Sequence, residues 1–91
     1  MGNHIPNRIK LTLEALKVTE DEIDECFDSM GTPRLSKSPA GGPQYYWFVG
    51  KTYYGRKFTI DYFIDAANST NVVSKVSEPT RRELDLNQNL H

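Results

Sequence analysis

The stretch Tyr45-Tyr46-Trp47-Phe48-Val49-Gly50-Lys51-Thr52-Tyr53-Tyr54-Gly55-Arg56-Lys57-Phe58-Thr59-Ile60-Asp61-Tyr62-Phe63-Ile64 decides the fold. All but one of the chain's aromatic residues lie in it. Aromatic and β-branched side chains suit a pleated surface, and Gly50 and Gly55 punctuate the segment near a turn. From Lys57 onward Phe58, Ile60, Tyr62 and Ile64 point one way, and Lys57, Thr59 and Asp61 the other; Phe63 alone departs. A period of two with one apolar face marks a half-buried antiparallel strand. The stretch is therefore read as two strands joined by a turn.

Working outward, the clearest helix lies on the N-terminal side. Thr19 and Glu22 form a capping box, Val18 and Ile23 a hydrophobic staple, and Glu20, Asp21 and Glu22 place negative charge at the positive end of the helix dipole. Ile23, Cys26, Phe27 and Met30 form one apolar stripe, and Gly31 is expected to close the helix. Before it, Arg8-Ile9-Lys10-Leu11 alternates like an edge strand, and Thr12 is read as the cap of a short helical turn through Lys17. Residues 1–7 are expected to be a flexible lead-in, and residues 8–91 a single domain.

Residues 32–44 hold three prolines and two glycines and read as a loop. Residues 65–71 read as a second hairpin loop, and Val72 to Ser77 as a third strand that Pro79 stops. Thr80 and Glu83 form a second capping box, opening a short helix through about Asn87 with modest apolar contact from Leu84, Leu86 and Leu90. The expected architecture is α+β: a short strand and helices packed on a three- to four-stranded antiparallel sheet, with a short C-terminal helix.

At 91 residues the core is small. No apolar run approaches the ~20 residues of a membrane-spanning helix, and no signal peptide is visible, so no membrane partner and a cytoplasmic location are expected. The single cysteine, Cys26, sits in the apolar stripe and is read as a buried small hydrophobe. Net charge is −1, but residues 1–30 carry three bases and seven acids, whereas residues 31–91 carry eight bases and five acids. Such polarity either gives the molecule a basic face or simply coats one exposed helix with acids.

Three features then line up: Leu16-Lys17-Val18-Thr19-Glu20-Asp21-Glu22-Ile23, Trp47-Phe48-Val49-Gly50-Lys51-Thr52 followed by Gly55-Arg56, and Ser77-Glu78-Pro79-Thr80-Arg81-Arg82-Glu83. Their succession, across residues 8–86, resembles the BrnT-like toxins, small ribonucleases of type II toxin–antitoxin pairs with a RelE-like fold. The family's His-Gly turn before the acidic helix is Leu16-Lys17 here, and the aromatic residue that often closes the terminal helix is Asn87. The resemblance implies metal-independent RNA binding or cleavage, with an antitoxin as protein partner. It nominates Arg56, Arg81 and Arg82 as phosphate-stabilising cations and Glu83 as a base, although the capping box also accounts for Glu83.

Lys51 and Lys75 would add positive field. Tyr53 and Tyr54, at the turn, are candidates for stacking on unpaired bases, and equally for turn-flanking aromatics or anchors of a protein partner. His4 and His91 stand at opposite ends without metal-ligand spacing. No HExxH, CxxC, Walker or GxGxxG pattern occurs, so no metal or nucleotide cofactor is expected. An alternative reading makes the chain a non-catalytic protein-binding inhibitor of the kind mobile elements carry, docking through the acidic face of Glu20, Asp21, Asp24, Glu25 and Asp28. A third is a homodimer formed over the aromatic edge marked by Phe63.

Overall fold

A computed structural model describes residues 2–87 of the chain. In chain order the elements are β1 (Gly2–His4), α1 (Asn7–Leu16), α2 (Glu20–Asp28), β2 (Arg34–Ser36), β3 (Tyr45–Lys51), β4 (Lys57–Asp65), β5 (Thr70–Ser77) and α3 (Arg81–Leu86). The fold is α+β, as the sequence indicates. The sheet, however, has five strands in the order β1-β5-β4-β3-β2 and is mixed, because β1 runs parallel to β5. The two outer strands, neither of them among those expected, come from segments read as a flexible lead-in and as a loop. Residues 2–4 pair with β5, and residues 34–36 pair with β3. Both are three-residue edge strands, too short to show a period of their own.

The central hairpin forms as the aromatic pattern dictates, with Tyr45 opposite Phe63 and Lys51 opposite Lys57. Its turn is narrower than the two glycines suggest. Thr52 N–H donates to the Arg56 carbonyl (2.8 Å), and Gly55 adopts the left-handed backbone (φ 92°) that glycine takes without penalty. Gly50 does something else, within β3. A Cβ there would lie 2.5 Å from Cys26 Cβ and 2.8 Å from the Cys26 carbonyl oxygen, so its missing side chain is what lets α2 approach the sheet.

Arg8-Ile9-Lys10-Leu11 is a correction: it belongs to α1. The alternation came from Leu11, which is 70% exposed, while Ile9 and Leu13, four apart, form the buried stripe. Pro6, not Thr12, is the N-cap, and its carbonyl accepts from Ile9 N–H (2.9 Å). The helix ends in a Schellman motif: Val18 N–H reaches the Leu13 carbonyl (3.0 Å), and Lys17 takes the left-handed position usually held by glycine. The Thr19 capping box opens α2 as expected, and Ile23, Cys26 and Phe27 are buried. Gly31 does not close it; the cap is Ser29, whose hydroxyl donates to the Cys26 carbonyl (2.9 Å). Leu90 and His91 lie outside the described residues.

The core fills the space between α1, α2 and one sheet face. Phe27 stands edge-on to Phe48 and Tyr62, at centroid distances of 5.0 and 5.4 Å. In β5 both Val73 and Val76 reach this core, which simple alternation forbids for residues three apart. The register supplies the reason: Asp61 faces Lys75 but Tyr62 faces Val73, leaving Ser74 as an extra, bulged residue. Ile64, expected on the apolar face, is 38% exposed at the far end of β4.

The opposite sheet face is covered at only one end. There α3 lies over Val49 and Thr59, and Glu83 accepts from the Thr59 hydroxyl (3.0 Å). β2 pairs only with the first three residues of β3, so later N–H groups on that edge need other acceptors. Asn87 Oδ1 takes Val49 N–H (3.4 Å), Ser29 Oγ takes Lys51 N–H (2.8 Å), and Glu25 takes Tyr53 N–H (2.7 Å). Side-chain caps of this kind blunt an edge that would otherwise invite another strand.

Candidate nucleic-acid interface

Register and alternation place a defined set of side chains on the sheet face that α1 and α2 leave uncovered. One row across the strands reads Arg34, Trp47, Asp61, Lys75; the next reads Ser36, Tyr45, Phe63, Val72. Tyr45 and Phe63 pack ring to ring at 5.1 Å, and both, like Trp47, keep part of their surface in solvent. Beside Trp47 an open groove of about 1070 Å³ runs between the strands and α3, lined also by Pro33, Arg34, Arg82, Glu83 and Leu86. Arg34 forms one wall and ties it to α3, donating from Nε and Nη2 to the Leu86 carbonyl (3.1 and 2.8 Å).

Asp61 is the acidic centre of this face. Its Oδ2 accepts from the Ser36 hydroxyl (3.2 Å). Burial holds its carboxyl above the usual range; Ser36 and Lys75 pull it back down, and Glu83 pushes it up. Lys51 and Lys57 project from the same sheet face on the far side of Val49 and Thr59, directly opposite each other. Lys51, Lys57, Lys75, Arg34 and Arg82 thus share the α3 side of the molecule. The acids of α2 lie across the sheet. The charge polarity of the sequence is only in part a polarity of layers, because Arg56 turns to the helical side while Asp61 and Glu83 stay on the α3 side.

The nominated residues are not brought together as one cluster. Arg56 points to the helical side, donating to the carbonyls of Lys17 (2.8 Å) and Leu16 (2.9 Å), with Glu22 at 4.0 Å and the Phe58 ring beneath it. Arg81 and Arg82 sit on α3, across the sheet from it; Arg82 lines the groove and Arg81 is exposed. Glu83 accepts from Thr80 N–H (2.8 Å) as well as from Thr59, so its carboxylate serves the cap and the helix–sheet contact. Lys75 is exposed in the row described above.

Tyr53 folds onto α2, where its hydroxyl donates to Asp28 (3.0 Å), while Tyr54 stands 95% exposed at the turn. Of the acidic set, Asp24 accepts from Asn3 (3.1 Å), Glu25 holds the Tyr53 N–H and Asp28 the Tyr53 hydroxyl. Asp21 is exposed, without a hydrogen bond among the described residues. Phe63 lies on the open face against Tyr45. Cys26 is fully buried, and burial, with help from Glu25 and Glu22, pushes its thiol up to about 12. Among the described residues no three His, Cys, Asp or Glu side chains converge as a metal-ligand set, and no helix is long and apolar enough to cross a membrane.

Sequence reasoning passed over Arg34, Ser36, Trp47 and Asp61. Trp47 and Asp61 did carry a signal: each sits at the solvent-facing parity of its strand, where a large aromatic and a lone acid are out of place. Arg34 and Ser36 carried none, since their strand exists only through its pairing. No protein-family model matches the chain, and comparisons with curated proteins and with solved structures likewise find no match.

Proposed function

We propose that this protein is a toxin-like, metal-independent RNA-binding domain that holds unpaired RNA on the open face of its sheet. One observation carries the reading: the register sets Trp47, Tyr45 and Phe63 side by side on a face rimmed by Arg34, Lys75, Lys51, Lys57 and Arg82. Exposed aromatic faces accept unstacked bases of any identity, and surrounding cations follow the phosphates. Binding is favoured over cleavage because Arg56 and Glu83, the nominated cation and base, are already committed to the fold and stand on opposite sides of the sheet. Action on RNA implies the cytoplasm.

A second reading is supported by the aromatic content of the same face. A protein partner such as an antitoxin, or a second copy meeting it over Phe63, would bury Tyr45, Trp47 and Phe63 as anchors.

The test is fluorescence anisotropy of a short labelled single-stranded RNA titrated with the protein at about 50 and 200 mM salt. Trp47→Ala is expected to cost about 1–3 kcal/mol of binding, the worth of one stacked base. Lys75→Ala is expected to flatten the salt dependence by about 0.7 of a logarithmic unit per unit of log salt. Absence of binding at the lower salt, or full affinity in Trp47→Ala, overturns the reading.

A further inference from the structure

Resting on the RNA-binding reading, we propose that the pair Trp47–Asp61 selects guanine, the base stacking on the indole while the Asp61 carboxylate takes its Watson–Crick edge. Trp47 and Asp61 are directly opposed on β3 and β4, so their side chains are nearest neighbours across the strands. A base lying on Trp47 therefore presents one edge toward Asp61.

That carboxylate is half-buried and an acceptor only. The Ser36 hydroxyl donates to Oδ2 and orients the group, and Oδ1 accepts no hydrogen bond among the described residues. Among the described residues no buried side-chain oxygen lacks a hydrogen-bond partner, so Oδ1 is reached by water, and a donor placed there exchanges that water for a charge-assisted hydrogen bond.

The four bases differ in what they offer such a group. Guanine presents two adjacent donors, N1–H and the N2 amino group, at the spacing of the two carboxylate oxygens. Cytosine and adenine offer one amino group next to a ring nitrogen whose lone pair repels the carboxylate. Uracil offers a single N–H flanked by two carbonyl oxygens. Edge readout by hydrogen bonds of this kind discriminates by roughly 5- to 100-fold for a good bidentate pair. Lys75 and Arg82 flank the pair and suit the phosphates on either side, while the Leu86 carbonyl holds Arg34.

The same chemistry is available from a guanine within RNA and from a free guanine nucleotide, and the experiment separates them. Trp47 is the only tryptophan of the chain, so intrinsic fluorescence reports occupancy of this site directly. Four short uridine-based RNAs differing in one central base, and the four free nucleoside monophosphates, are titrated against the full-length protein. The guanine RNA is expected to bind about 10-fold tighter than the other three. An inosine RNA, which lacks the N2 amino group, should fall between.

Asp61→Asn, nearly isosteric, should bring the four RNAs within about twofold of each other, and Ser36→Ala should narrow the preference with Asp61 intact. Equal affinity of the wild type for all four RNAs overturns the guanine inference and leaves RNA binding standing. Quenching by the guanine nucleotide with no RNA bound overturns the RNA reading and leaves a guanine-nucleotide site. A silent tryptophan in every titration overturns both.

Discussion

The guanidinium of Arg56 donates a 2.8 Å hydrogen bond to the backbone carbonyl of Lys17, the residue whose left-handed backbone (φ 56°, ψ 48°) ends α1. A second hydrogen bond to Leu16 makes the contact a fork, which straps the turn of the central hairpin to the junction between the two helices. Lysine cannot reproduce that fork. Arg56→Lys is therefore expected to lower stability in urea unfolding by about 1 kcal/mol and to leave RNA affinity unchanged. Lost RNA affinity or cleavage at full stability would instead identify Arg56 as a phosphate clamp. At the other end of the contact, Lys17→Gly relieves a non-glycine left-handed residue and should raise stability by about 0.5–1 kcal/mol.

Gly50 is a packing residue. In Gly50→Ala the new methyl group meets the Cys26 carbonyl oxygen at 2.8 Å, and backbone cannot rotate away as a flexible side chain can. Destabilisation of about 1–3 kcal/mol is expected, with α2 displaced from β3. Thiol labelling offers an independent check. Cys26 should resist alkylation in the native wild type and gain reactivity in the variant.

Asp61 and Asp65 make opposite contributions to pH dependence. Asp61 is raised by burial, so between its ordinary value and its raised one the native state binds more protons than the unfolded chain. Stability therefore falls as pH rises through that window, and the cost persists above it. Asp65 is held below its usual range, chiefly by the Asn68 side chain; its contribution is present above the usual carboxylate value and is lost as pH falls through the lowered one. Asp61→Asn should thus be more stable than wild type at neutral pH and converge with it in acid. Asp65→Asn should be less stable at neutral pH and converge likewise. Urea midpoints measured across pH check both signs.

Lys51 and Lys57 face each other across the hairpin, and like charges so placed repel. Lys57→Glu converts the pair to an attractive one and is expected to add about 0.2–1 kcal/mol of stability. The same change puts a negative charge on the RNA-facing side. Affinity should drop and the salt dependence should become shallower. A variant that is more stable yet binds RNA as well as wild type would remove this end of the sheet from the interface.

Much of the fold was legible because it rests on local rules. The Thr19 and Thr80 capping boxes, the Val18–Ile23 staple and the apolar stripe of α2 depend on residues within one or two helical turns. The alternation in β4 named Phe58, Ile60 and Tyr62 as core before any partner strand was known. Phe63, the exception to that alternation, was the first sign of the opposite face. What misled was a short window: four alternating residues from Arg8 to Leu11 imitate a strand, and only Leu13, one turn on, discloses the helix.

The sequence by itself therefore determined the helices with caps, the central hairpin, the buried thiol and the segregation of acids from bases, since each follows from short-range periodicity or simple count. Tertiary structure alone decided the edge strands, the bulge at Ser74 that brings Val73 and Val76 to one core, and the use of Arg56 as a strap between residues 39 and 40 positions apart. It also decided the interface. Arg34, Trp47, Asp61 and Lys75 come from four strands and share no local pattern; they form a row only because hydrogen-bond register aligns them. Register is a property of paired backbones, and no single strand carries it.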